Sequence, residues 1–159
     1  MLTYDEHLLR WAVFAFWRRS IGISFPIALV VVAIIFISLL AQGDLSWIVG
    51  AIGMFIVLSI AFVLAVYVVH YRNAIAKLRD MGPPQATFIA EESSFSISSG
   101  IGDSTIRWSS VIELWRFSNF WLLLFSKSQF ITLPLATISP EMQTFVLKSV
   151  QASGGKIVD

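Results

Sequence analysis

The stretch SNFWLLLFSKSQFITLPLA, residues 118–136, decides the fold because its apolar residues suit two different structures. Six apolar residues follow one another from Phe120 to Phe125, as in the start of a third membrane span or in a strand buried on both faces. A helical crossing needs about 20 residues, whereas strands are commonly about 5 or 6 residues long. Arg116 precedes the run and the polar tetrapeptide SKSQ follows it, and charges deep in a bilayer are costly. The stretch is therefore predicted to be a β-hairpin with SKSQ as its turn.

The composition as a whole requires more burial than a chain of this length provides in its own core. Of 159 residues, 57% are hydrophobic and 13% are charged, against about 45–50% and about 25% in soluble domains. Residues 21–41 and 47–69 contain no charged side chain, and each segment is long enough to cross a bilayer as a helix. The linker QGDLS between them is short enough to force an antiparallel pair. We therefore predict a two-span transmembrane hairpin over residues 21–69.

The basic residues around the hairpin predict its orientation. Arg18 and Arg19 precede the first span, Arg72, Lys77 and Arg79 follow the second, and the linker carries no Lys or Arg. Because basic flanks stay on the cytoplasmic side, both termini are predicted to be cytoplasmic. These five residues are candidate membrane-interface and topology residues. A basic ring formed by them would also hold the following domain against anionic lipid.

A helix is predicted ahead of the hairpin, within residues 1–20. Thr3 and Glu6 have the spacing of a capping box, so the helix is expected to begin near Tyr4. Residues 1–20 are predicted to form an N-terminal amphipathic helix whose middle is nearly all apolar, with Arg10 as the exception. Three arrangements fit it: a helix on the membrane surface, a helix packed on the following domain, or a plain extension of the first span.

The texture of the sequence changes after the second span. Residues 70–82 continue the helical spacing and are predicted to form a cytoplasmic stalk that ends at Gly82, before two prolines. Residues 83–159 contain short alternating segments such as SFSISSG and STIRW, typical of antiparallel strands. A last helix is predicted to begin at Ser139 as its N-cap. The fold class is thus an α+β membrane protein: a transmembrane helical hairpin followed by a small antiparallel β-sheet domain closed by a C-terminal helix.

The segment STIRWSSVIELWRFSNFWLLLFSKSQFITLPLATISPEMQTFVLKSV resembles the C-terminal domain of YcxB-like bacterial membrane proteins. That family has a strand ending in Trp, then a strand of the form y-l-l-f, a strand of the form f-i-x-L/I-P and a closing helix. Trp108, Phe130 and Pro134 are among the matching positions. The resemblance covers roughly residues 88–150, and it implies a pleckstrin-homology-like domain on a two-span anchor. It implies no catalytic residue and no agreed activity.

The sequence contains few of the residues and motifs that enzymes use for catalysis. It has no cysteine and two histidines, His7 and His70, and it contains no nucleophile elbow, phosphate loop or metal-ligand cluster. We therefore expect no catalytic residue, no metal site and no cofactor. The expected function is a non-catalytic integral membrane protein whose cytoplasmic domain binds a protein partner or lipid headgroups in an accessory, scaffold or regulatory role.

A second function from another class stays open, that of a small oligomeric channel or transport accessory. The predicted spans carry hydroxyl groups but no ionisable side chain of the kind that usually marks an ion path. Expected partners are the lipid bilayer and either another membrane protein or further copies of the chain. With a formal net charge of +1, nucleic acid is not an expected partner, and no small-molecule substrate is identified.

Overall fold

The computed structural model describes residues 1–126 and 129–159 and folds them into two compact units. We call residues 14–70 the hairpin unit, and residues 1–13 with 71–159 the head unit. The helices of the described part are α1 (Glu6–Ile21), α2 (Ser24–Ala41), α3 (Trp47–Asp80) and α4 (Pro140–Ala152). Its strands are β1 (Leu2–Thr3), β2 (Gln85–Ala90), β3 (Ser94–Ser99), β4 (Gly102–Arg107), β5 (Glu113–Arg116), β6 (Phe120–Leu124), β7 (Phe130–Pro134) and β8 (Lys156–Val158).

Two helices, α2 and α3, are long and apolar enough to cross a membrane, each with a window of mean hydropathy 2.8. They agree with the two predicted spans, and α3 continues without interruption through the predicted stalk to Asp80. Within the hairpin unit, the ring of Phe36 on α2 lies against Gly53 on α3, where a Cβ atom would be 3.0 Å from the ring. Glycine at this position therefore lets the aromatic ring approach the α3 backbone.

The N-terminal helix α1 is separate from α2, so the expectation of a plain extension of the first span is wrong. Gly22 lies between the two helices with φ +69°, a left-handed conformation that interrupts a helix and favours glycine. The second half of α1 packs on α3 within the hairpin unit. Trp17 donates its indole N–H to the carbonyl oxygen of Val63 at 3.0 Å, and its ring lies 5.6 Å from that of Tyr67.

The predicted capping box at the start of α1 is also wrong. Thr3 is in strand β1, and the helix begins at Glu6. The Asp5 side chain makes the cap, since its Oδ1 accepts from the N–H of Leu8 at 2.6 Å. Pairing of Leu2 and Thr3 with β2 draws the first residues into an extended conformation, so the cap moves two positions along the chain.

The head unit contains two four-stranded sheets. The first has the order β1-β2-β3-β4 and is antiparallel throughout. The second has the order β7-β6-β5-β8, antiparallel except for the parallel pair formed by β5 and β8. The predicted series of consecutive antiparallel strands closed by a helix is confirmed for β2 to β7 and α4. The terminal strands β1 and β8 were not predicted, and β8 follows the closing helix.

Strands β6 and β7 form a β-hairpin, as predicted. Every residue of β6 is buried, and β6 pairs with β7 so that Leu122 lies opposite Thr132. The N–H of Phe125 donates to the carbonyl oxygen of Gln129 at 3.0 Å and closes the hairpin. Lys127 and Ser128 of the predicted SKSQ turn lie outside the described residues.

Trp108 is the largest fully buried side chain of the head unit and joins its parts. It lies in a short 3-10 turn after β4, so the prediction that it ends a strand is off by one residue, although its inward direction is confirmed. Its ring is 4.6 Å from that of Phe95 on β3 and 6.5 Å from that of Phe145 on α4. Its indole N–H donates to the carbonyl oxygen of Glu91 at 2.9 Å.

Helix α4 closes the core as predicted. The Ser139 hydroxyl accepts from the N–H of Met142 at 3.3 Å, and Pro140 takes the first helical position. Val146 and Val150 are fully buried in the core. The helix ends before Gly154, which has φ +86°, and this allows the chain to turn into β8.

Replacing Trp108 with alanine is expected to lower the free energy of unfolding of the head unit by about 3–5 kcal/mol, as for other large-to-small changes in a core. The substitution removes both ring contacts and leaves the Glu91 carbonyl without its donor. Pulse proteolysis of the full chain in detergent, across a denaturant series, measures the loss. Trp11→Ala is the matched control, because Trp11 is 51% exposed; equal losses in the two variants would contradict the packing argument.

Candidate interaction surface

The edges of the two sheets are where the head unit exposes backbone hydrogen-bonding groups. An edge strand leaves every second N–H and C=O without a ladder partner, and such an edge accepts a further strand unless it is short or covered. The edge strands in the described part of the chain are β1 and β4 in the first sheet, and β7 and β8 in the second. Strands β1 and β8 have two and three residues, which leaves β4 and β7 as the longer edges.

The outward side of β7 is bonded by Tyr4 from the N-terminal segment, and Pro134 on this strand has no N–H to donate. Leu135 donates to the carbonyl oxygen of Asn119, and because ladder pairs alternate, Phe130, Thr132 and Pro134 direct their backbone groups away from β6. Proline at an outward position costs no ladder bond. The carbonyl oxygen of Thr132 accepts from the hydroxyl of Tyr4 at 3.1 Å. Phe130 and Pro134, singled out in the sequence as structural positions, therefore lie on an edge that the chain itself occupies.

Tyr4 is held in a low-polarity environment at this edge. Burial of its phenol raises the pKa of Tyr4 from 10 to about 12, since removal from water disfavours the phenolate. The neutral hydroxyl is thus the form that bonds Thr132 across the ordinary pH range. This contact ties the first residues of the chain to the second sheet, while β1 ties them to the first.

The edge of β4 is longer and open. Trp108 donates its backbone N–H to the carbonyl oxygen of Ser93, which sets the alternation for the ladder between β3 and β4. By that alternation Gly102, Ser104 and Ile106 bond to β3. Asp103, Thr105 and Arg107 therefore direct their N–H and C=O groups outward, and all three residues are exposed.

The ladder on the other side of β3 gives the same alternation. Glu91 donates its backbone N–H to the carbonyl oxygen of Ser94, so Ser94, Ser96 and Ser98 bond to β2 and the intervening residues bond to β4. No strand in residues 1–126 or 129–159 pairs with the outer side of β4. The head unit thus presents one six-residue edge with free donors and acceptors.

Side chains beside this edge form a polar face rich in hydroxyl groups. Thr105 lies opposite Ser96 in the ladder, and their hydroxyl oxygens are 2.9 Å apart. Asp103 lies opposite Ser98, and Arg107 lies opposite Ser94. Within the described residues, neither Asp103 nor Arg107 forms an ion pair. The face therefore carries one negative and one positive group on either side of a central threonine.

The five predicted topology residues are distributed over both units. Arg18 and Arg19 are in the last turn of α1, within the hairpin unit. Arg72, Lys77 and Arg79 are on the part of α3 that belongs to the head unit, and all three are exposed. Arg72 and Arg79 are seven residues apart and share one helix face, whereas Lys77 points elsewhere. The basic ring stays a prediction.

In the described part of the chain, both histidines contact aromatic side chains. The Nε2 of His7 accepts from the indole N–H of Trp11 at 3.0 Å, and the ring of His70 lies 5.5 Å from that of Phe16. Among the described residues, no group of three or more His, Asp or Glu side chains has the arrangement of a metal site.

Sequence reasoning missed the residues that define this surface. The alternating segment STIRW predicts a strand from Ser104, whereas the strand of the structure begins at Gly102 and includes Asp103, after a turn at Gly100 and Ile101. A two-residue strand such as β1 is too short to show a period. The sequence signal is weak here, because Asp103, Ser104 and Thr105 are all polar and apolar residues recur at alternate positions only from Ile106 onward.

A family model described as YcxB-like protein matches residues 91–148, from the turn between β2 and β3 to the middle of α4. The matched segment contains Trp108, Phe130 and Pro134, as the resemblance in the sequence implied. Neither curated proteins nor solved structures gave a match to the chain.

Replacing Tyr4 with phenylalanine is expected to lower the free energy of unfolding by about 0.5–1.5 kcal/mol, the usual value of one hydrogen bond. It should also change the alkaline behaviour. Because the folded pKa lies above the unfolded one, the contribution of Tyr4 is complete below pH 10 and falls as the pH rises towards 12.

Denaturation of the full chain in detergent at pH 8 and at pH 11 tests both effects. The wild type should lose stability between these values by more than Tyr4→Phe does. Tyr71→Phe is the control, because it removes a hydroxyl from a more exposed bond to Glu6. An alkaline loss that is equal in the wild type and in Tyr4→Phe would contradict the role given to the buried phenol.

Proposed function

We propose that this chain is a non-catalytic, two-pass integral membrane protein of the bacterial inner membrane that presents a cytoplasmic, pleckstrin-homology-like domain for binding a protein partner. The apolar lengths of α2 and α3 support the two crossings. The basic residues after the second crossing support the cytoplasmic side for the head unit. In this arrangement the protein acts as an adaptor or regulator held at the membrane.

The order of elements in the head unit supports the pleckstrin-homology-like assignment. Strands β1 to β4 form one antiparallel sheet, β5 to β7 form the antiparallel part of a second sheet, and α4 follows and closes the core. From β4 onward, this order agrees with that implied by the resemblance to YcxB-like proteins. The matched residues run through both sheets into the closing helix.

The open edge of β4 is the observation that favours a protein partner over lipid headgroups. An extended segment of a partner adds to such an edge through main-chain bonds, and its alternate side chains are read by the adjacent face. That face has a balanced pair of charges at Asp103 and Arg107 and hydroxyl groups between them. A lipid headgroup surface calls instead for clustered positive charge, and on the described part of β4 Arg107 is the basic residue.

The topology is testable because the chain has no cysteine of its own. Leu45→Cys places a thiol in the linker between α2 and α3, where residue 45 is 86% exposed, and Thr87→Cys places one on the exposed face of β2. A membrane-impermeant maleimide added to spheroplasts should label residue 45 and leave residue 87 unlabelled. In inverted vesicles the pattern should reverse. Labelling of residue 87 from the outer side would overturn the proposed orientation.

Binding at the edge is tested with a photo-cross-linking residue placed at Thr105 in native membranes. We expect a protein adduct at this position, and no adduct with the same residue at Thr87, which is exposed on the same sheet but two strands away from the edge. Thr105→Pro in a chain carrying the cross-linker at Asp103 should abolish the adduct, since proline removes an outward donor without breaking the ladder to β3. Adducts of equal yield at residues 87 and 105 would contradict strand addition. Selective ion flux through proteoliposomes would favour the channel alternative instead.

A further inference from the structure

We propose that the partner of the β4 edge is a second copy of this chain, so that two head units join through antiparallel pairing of β4 with β4. This inference rests on the proposed function, because it names the occupant of the edge by which that function operates. It follows from the order of residues along the edge, which is complementary to itself.

One register pairs all three outward residues of each copy with those of the other. In an antiparallel pair with Thr105 opposite Thr105 of the second copy, Asp103 lies opposite Arg107, and Arg107 lies opposite Asp103. These are the three residues whose N–H and C=O groups point away from β3. Residues that face each other in this way exchange two hydrogen bonds per pair. Every outward group of the edge therefore finds a partner, and the two sheets become one continuous sheet.

The side chains of the same residues support that register. They project from one face of the sheet, so directly opposed residues are cross-strand neighbours. Each Asp103 then meets an Arg107 of opposite charge, and this happens twice because of the two-fold symmetry. The two Thr105 side chains meet at the centre, and threonine pairs are favourable at opposed positions. A shift by two residues would place Asp103 opposite Thr105 and leave the arginines without carboxylates.

The other long edge does not offer this arrangement. On β7 the outward positions are Phe130, Thr132 and Pro134, which carry no charge, and Pro134 has no N–H to donate. The hydroxyl of Tyr4 already occupies the Thr132 carbonyl. Association of two copies is therefore assigned to β4 rather than to the second sheet.

The proposal is tested by exchanging the charges at residues 103 and 107. Both residues are exposed, so the substitutions leave the core of the head unit unchanged. Asp103→Arg places arginine opposite arginine twice, and Arg107→Asp places aspartate opposite aspartate twice. Each single variant should associate with itself about tenfold or more weakly than the wild type. The two single variants mixed together should associate as well as the wild type, because both opposed pairs are then of opposite sign. The double variant Asp103→Arg with Arg107→Asp should also recover.

Association is measured with the full chain in proteoliposomes, by energy transfer between copies that carry donor or acceptor dyes at Thr87→Cys, over a range of protein-to-lipid ratios. In parallel, Thr105→Cys should be joined to a second copy by a short bifunctional thiol cross-linker, since opposed α-carbons in a hydrogen-bonded pair are about 5.5 Å apart. Thr87→Cys, without dye, is the control and should give no dimer.

Two results would overturn the proposal: single charge variants that self-associate as tightly as the wild type, or a mixture of the two that associates no better than either alone. These results separate this inference from the proposed function. The photo-cross-linker at Thr105 could capture a different protein while the charge substitutions leave association between copies unchanged. That outcome excludes a second copy as the occupant of the edge and retains strand addition by another protein. If Thr105 gives no adduct of any kind, strand addition itself is excluded.

Discussion

Satisfaction of backbone hydrogen bonds is the constraint on which the organisation of this chain depends. In α2 and the apolar part of α3 the bonds are internal to each helix, which is the requirement for a segment placed in lipid. In the head unit the hydrogen bonds run between strands, so the outermost strands of each sheet carry N–H and C=O groups that no strand of that sheet pairs with. Three edge strands have few such groups. Strands β1 and β8 are short, and on β7 the Thr132 carbonyl accepts from the Tyr4 hydroxyl while Pro134 has no N–H. The edge of β4 is left, and its position follows from the order of strands in the first sheet.

The core of the head unit holds β4 in place from its C-terminal end. Trp108 follows β4 directly, and its indole N–H bonds the Glu91 carbonyl in the turn between β2 and β3. Its ring packs on Phe95 of β3 and on Phe145 of α4. At the other end of β4, Gly100 in the preceding turn lies so close to the Met81 carbonyl that a Cβ atom would collide with it. Both ends of the strand are thus fixed by contacts within the head unit.

Much of this fold is legible in the sequence where a pattern repeats over several residues. The two apolar helices long enough to span a membrane, the hairpin of β6 and β7, the Ser139 cap and the inward face of α4 all follow from apolar runs, alternation or capping residues. The termini were not predicted, because Leu2–Thr3 and Lys156–Val158 form strands only when the sheets are already present to pair with them. The helix start was misplaced for the same reason. Thr3 has the composition of a cap, but its pairing with Gln85 decides its conformation.

The candidate surface was hidden for a different reason. Every second residue of the extended segment GDSTIR lies on the same face of the sheet. The sequence does not show which residues direct their backbone groups towards β3 and which direct them away, because that depends on the register of the two strands. Charges on an edge strand commonly discourage pairing with other chains, and two charges of one sign at residues 103 and 107 would act in this way. Opposite signs placed symmetrically about Thr105 act differently, because they attract each other in the register centred on Thr105 and lose that attraction when the strands shift by two residues. In the proposed pairing of two copies, the same two side chains make the edge selective for its own sequence.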